Sequence, residues 1–127
     1  MSMFIFFLMF ITGCSLQPTG ELTRVDVQKG IYEDILIITD DETIHLLKRC
    51  FRKVKWEPDT SAKMSRKEDI VATLFYTYDK NMPERLYEYR IWFNGNDTAT
   101  IISNNENEGY GTLDLDHSKI LKNNLFN

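Results

Sequence analysis

Two histidines, two cysteines and two short acidic runs are the side chains of this chain best suited to chemistry. Asp40, Asp41 and Glu42 could in principle gather a cation. Consecutive helix positions point about 100° apart, however, so three carboxylates in a row do not converge on one ion. Asp114 and Asp116 flank Leu115 without the surrounding loop of a calcium site. His45 and His117 belong to different segments, with no H-x-H or H-E-x-x-H spacing to build a zinc site. No metal is expected. No serine stands in a G-x-S-x-G or S-x-x-K arrangement, and no glycine cluster is present to cradle a phosphate. Local motifs therefore point to no catalytic residue, no cofactor and no enzyme. Cys50 has Lys48, Arg49, Arg52 and Lys53 nearby in sequence, which could activate a thiol, but it falls on an apolar helix stripe and is expected as a packed core thiol.

The elements that must position these groups follow from periodicity. Residues 22–28 alternate, with Val25 and Val27 on one face and Arg24, Asp26 and Gln28 on the other, which predicts a half-buried strand. Residues 35–38 form a continuous apolar run typical of a central strand. Thr39 and Glu42 fit a capping box, and Ile44, Leu47, Cys50, Phe51 and Val54 then mark one helix stripe. Trp56-Glu57-Pro58 closes that unit, and residues 59–68 form a polar loop. Residues 69–78, 86–93, 98–103 and 110–115 read as strands, with Asn94-Gly95 as a tight hairpin signal. Asp114 or Asp116 caps a last helix over 118–125, with Ile120, Leu121 and Leu125 facing inward. The order ββαββββα predicts an α+β domain: an antiparallel sheet of five to six strands with two helices on one face.

That fold leaves one sheet face bare. Trp92 with Arg90 and Glu88, together with Trp56, would then offer a protein-binding surface, since interfaces favour Trp, Tyr and Arg. The alternative is that these aromatics, with Tyr76, Tyr78, Tyr87 and Tyr89, pack the core or pair across strands. Exposure of Trp92 separates the two.

The N-terminus carries a different kind of signal. Residues 1–13 hold no charged side chain, and the apolar stretch 3–11 suits a secretory h-region while falling short of a bilayer span. Ile11-Thr12-Gly13-Cys14 resembles the lipobox of bacterial lipoproteins. The resemblance implies cleavage between Gly13 and Cys14 and a diacylglyceryl group on the Cys14 sulfur, since two acyl chains anchor stably where one does not. The expected layout is a signal peptide over 1–13, the lipidated Cys14 and a short tether over 14–21, and one α+β domain over 22–127. A signal n-region normally carries Lys or Arg. Here only the Met1 amino group is positive, so either the signal is weak or the start lies upstream. The formal net charge of −4 disfavours nucleic acid as a partner and disfavours laying the domain flat on an anionic membrane.

The segment Ile38-Thr39-Asp40-Asp41-Glu42-Thr43-Ile44, the strand 87–93 with its Asn-Gly turn, and Gly109-Tyr110-Gly111, with the lipobox, resemble the Bacillus YhfM-like lipoproteins. That resemblance implies a membrane-tethered domain on the outer face of the cell membrane and transfers no active site. The expectation is a non-catalytic interaction domain held by lipid beside an envelope protein. The alternative is a lipoprotein binding a small ligand or a cell-wall fragment by stacking on Tyr and Trp. An envelope hydrolase with scattered residues is a third possibility.

Overall fold

The computed structural model of the chain describes residues 20–126, Tyr32 excepted. Gly13 and Cys14 lie outside the described residues. The elements run β1 (Glu21–Gln28), β2 (Leu36–Ile38), α1 (Asp41–Arg52), β3 (Lys55–Glu57), β4 (Ile70–Thr77), β5 (Arg85–Phe93), β6 (Ala99–Ser103), β7 (Tyr110–Leu113) and α2 (Leu115–Leu125). The fold class is α+β. All strands join one antiparallel sheet in the order β2-β1-β4-β5-β6-β7-β3.

Alternation decides which side chains point to the helices. Val25 and Val27 of β1, Ala72 and Leu74 of β4, Tyr89 and Ile91 of β5, and Ile101 of β6 join Leu47, Cys50, Leu121 and Leu125 of the two helices in one core. Leu22 also points inward although it is three residues from Val25. A register shift between Leu22 and Arg24 absorbs the extra residue and restores the phase.

The sheet has seven strands rather than five or six. The added strand is β3, three residues that the sequence presents only as the end of the α1 unit. It pairs with β7, setting Trp56 opposite Gly111. The run 35–38 is not central. β2 lies at the sheet edge, and Ile35 and Ile37 are each 53% exposed. An apolar run marks strand propensity, but burial depends on what lands on its two faces.

Both helices begin elsewhere than expected. Asp40, not Thr39, caps α1, its Oδ2 accepting the Thr43 N–H at 3.0 Å; aspartate is the stronger cap of the two. Asp114 caps α2, which therefore starts at Leu115. The β5–β6 connection is also wider than an Asn-Gly turn: Phe93 pairs with Ala99, and the left-handed residue is Asp97, at φ 68°. Among the described residues no helix is long and apolar enough to cross a membrane.

Candidate functional site

The outer face of β5 is closed by the chain itself. Trp92 is 1% exposed, and its indole N–H donates to the Arg66 carbonyl at 2.8 Å. Arg90 lies over the Trp92 ring at 5.1 Å and donates to Glu68 at 3.0 Å. Asp69 ties the loop down by accepting from the Arg66 guanidinium at 2.7 Å and from the Phe93 N–H at 2.7 Å. Glu88 stays exposed beside this clamp. The surface expected from Trp92, Arg90, Glu88 and Trp56 does not form. Loop residues 59–68, polar and therefore expected in solvent, supply the backbone acceptor that a buried tryptophan needs. Trp56 belongs to the other side of the sheet.

There the remaining aromatics gather. Tyr76 of β4 and Tyr89 of β5 sit at inward positions, and Trp56 approaches from β3. Phe51 and Trp56 meet the Tyr89 ring edge-on, at 5.2 and 5.4 Å between centroids, and Tyr76 meets Tyr87 at 5.6 Å. Such contacts suit aromatic quadrupoles. Phe51, Trp56, Tyr76 and Tyr89, with Gly20, Lys48, Arg52, Tyr78 and Glu108, line a cavity of about 320 Å³ between the second half of α1 and the sheet.

Glu108 is the single carboxylate in that lining. It lies in the β6–β7 turn and is held from two sides: the Tyr89 hydroxyl donates to Oε2 at 3.0 Å and the Ser103 hydroxyl to Oε1 at 2.8 Å. Ser103 Oγ in turn accepts the Asn105 N–H at 3.0 Å. An ionised carboxylate offers about four acceptor positions, so two fixed donors orient Glu108 and leave capacity toward the cavity. Burial and then the Glu108 charge push the Tyr89 hydroxyl far up, so it remains a donor. Burial pushes Tyr76 up to about 12, which keeps its hydroxyl protonated at neutral pH.

Two glycines make the geometry possible. Gly109 has φ +67°, and a Cβ there would stand 2.9 Å from Pro58 Cα. A Cβ on Gly111 would lie 2.5 Å from Val54 Cγ1 and 2.7 Å from the Trp56 ring. The first turns the chain after Glu108, and the second lets Val54 and the Trp56 ring approach β7 closely.

The other sequence candidates stay apart. His45 shares a wide groove of about 750 Å³ with Asp41, Glu42 and Arg49 along α1. His117 Nδ1 contacts its own helix cap, Asp114, at 2.8 Å. Among the described residues no three His, Cys, Asp or Glu side chains converge as a metal site. Cys50 is buried, and burial pushes its thiol up, away from nucleophilic use at neutral pH. Sequence reasoning missed Glu108, Ser103 and the Gly111 seat. The available signal was a Ser and a Glu five apart across a hairpin turn, facing a strand with inward tyrosines.

No family model matches the chain, and no curated protein does. A solved structure that does match is the crystal structure of a thioesterase-like protein from Clostridium sporogenes ATCC 15579. It is 20% identical, covers 88% of this chain and 99% of its own, and has a TM-score of 0.57. That likeness shows a shared fold. It overturns the expectation of a non-catalytic interaction domain and of its ligand-binding alternative, because the same fold is found in a thioesterase-like protein. For the expectation of no enzyme, drawn from missing local motifs, the likeness bears on the fold alone. A carboxylate seated by residues from separate strands leaves no contiguous motif to find.

Proposed function

We propose that this chain is a hydrolase of acyl esters or thioesters, with Glu108 as the base that activates water. The observation that carries the proposal is Glu108 held by Tyr89 and Ser103 at the wall of an aromatic cavity. Glu108 takes a proton from a water molecule, whose oxygen adds to the acyl carbonyl carbon. The Tyr76 hydroxyl donates to the developing oxyanion. Collapse breaks the carbon–oxygen or carbon–sulfur bond, and the proton held by Glu108 passes to the departing alkoxide or thiolate. Trp56 and Phe51 bury the acyl chain. The shared fold with a thioesterase-like protein supports the reaction class.

The experiment compares wild type and Glu108→Gln on 4-nitrophenyl acyl esters and acyl thioesters. General-base loss should lower kcat by about 100-fold or more. Equal rates in the two proteins, or a wild type inert on every acyl chain length, would overturn the proposal.

We also propose that Cys14 carries the lipid and that residues 1–13 are removed, placing the enzyme on the outer face of a bacterial cell membrane. The lipobox-like Ile11-Thr12-Gly13-Cys14 supports this. Wild type should incorporate labelled fatty acid and sediment with membranes, and Cys14→Ala should not incorporate it. Label retained in Cys14→Ala removes the assignment.

A further inference from the structure

The cavity has a charge pattern that hydrolysis by Glu108 does not use. Lys48 and Arg52 stand one helical turn apart on α1, on either side of Phe51, and both line the cavity. Among the described residues neither forms an ion pair. Arg85 adds a third positive group at the rim, its guanidinium 5.0 Å above the Tyr78 ring. The chain as a whole is acidic, at −4, so a local cluster of cations facing an aromatic cavity focuses a positive potential there. Arg24, Arg66 and Arg90 are each engaged by a carboxylate, whereas Lys48 and Arg52 are set apart by their place together on the cavity wall.

Resting on the hydrolase reading of this pocket, we infer that Lys48 and Arg52 select an acyl ester bearing an anionic oxygen group, carboxylate or phosphate. The anion sits at the α1 wall while the acyl part lies on Trp56 and Tyr76, with the carbonyl toward Glu108. Both residues are specificity-determining: a guanidinium grips carboxylate or phosphate with paired donors, and the lysine adds a compact charge. An uncharged ester of equal length leaves both cations without a partner.

The test uses the full chain in zwitterionic vesicles with two esters of equal length. They are 4-nitrophenyl octanoate and the mono-4-nitrophenyl ester of octanedioic acid. Wild type should favour the anionic ester in kcat/KM. The double variant Lys48→Gln/Arg52→Gln should lower that preference by about tenfold, the size of two partly solvated charge contacts, and through KM. Lys63→Gln, on the outer loop, should keep the wild-type preference. A preference that is absent in wild type, or unchanged in the double variant, overturns the inference. If neither ester is hydrolysed, the Glu108 proposal fails and anion selection is read from binding alone. Octyl phosphate and octanoate should each quench Trp56 fluorescence more strongly than octyl glucoside, and the difference should vanish in the double variant. The ranking of phosphate over octanoate then identifies which anion the site prefers, and equal quenching by all three overturns the inference.

Discussion

Removing one hydroxyl at Tyr89 tests whether Glu108 is held in solution as it is in the fold. Tyr89→Phe keeps the ring, so the edge contacts with Phe51 and Trp56 survive, and the loss is confined to the bond to Glu108 Oε2 at 3.0 Å. A hydrogen bond to a charged group contributes about 1.5–3 kcal/mol. Glu108 keeps its bond from Ser103 at 2.8 Å and borders a cavity that admits water. The cost should therefore fall near the lower end, about 1.5 kcal/mol. For a domain of about a hundred residues this lowers Tm by roughly 6 °C. Urea unfolding of wild type, Tyr89→Phe, Glu108→Ala and the double variant isolates the pair. The coupling energy should be about 1–2 kcal/mol, well above the ~0.5 kcal/mol scatter of independent sites. In hydrolysis, Tyr89→Phe should lower kcat about tenfold with KM retained, since Glu108 loses orientation rather than charge. Strict additivity of the two substitutions would refute the pairing, and with it the geometry on which the proposed base depends.

Alkaline pH should unfold the protein through its aromatic cluster. Tyr76 is pushed up to about 12 by burial, and Tyr78 to about 12 by its bond with Tyr87 and then by burial, from an ordinary value of 10.0. A raised folded-state pKa means that the neutral phenols add stability in full below pH ~10 and lose it progressively toward pH ~12. Circular dichroism should change over that window together with the part of the tyrosinate absorbance that Tyr76→Phe and Tyr78→Phe remove; that part forming at pH 10 in a folded protein contradicts this. Gly111→Ala should cost about 1–3 kcal/mol by overpacking Val54 and Trp56, and it should red-shift the tryptophan emission. An unchanged Tm and spectrum would show that the Trp56 seat has room. At Asp69, burial raises the carboxyl, but the bonds from Arg66 and the Phe93 N–H outweigh it and hold it below the usual carboxylate range. Its stabilisation is therefore present above pH ~4 and lost as pH falls through the lowered value. Asp69→Asn should destabilise the protein at pH 7 and flatten the acid limb of the urea midpoint; a parallel limb argues against the clamp.

Much of the local structure was legible in the sequence. The alternation of Val25 and Val27 and the α1 stripe from Ile44 to Phe51 are both recovered, because burial on one face imposes a period on the chain. The site was not legible, because its residues come from separate parts of the chain. Lys48 and Arg52 read as charges beside Cys50, Ser103 as the end of a strand, and Glu108 as part of the connection before the next one. Each description holds locally and says nothing of their meeting.

The sequence by itself determined the α+β class, the strand faces and the acidic residues at the helix starts, and it alone carries the proposal for Cys14. These depend on neighbours within a few residues of one another, where period and composition act directly. Only the tertiary structure decided that the apolar β2 lies at an edge and that residues 59–68 fold over Trp92. It likewise decided that Glu108 joins Tyr89 beneath α1. Alternation tells which face a side chain takes, but what covers that face is set by contacts between residues far apart along the chain.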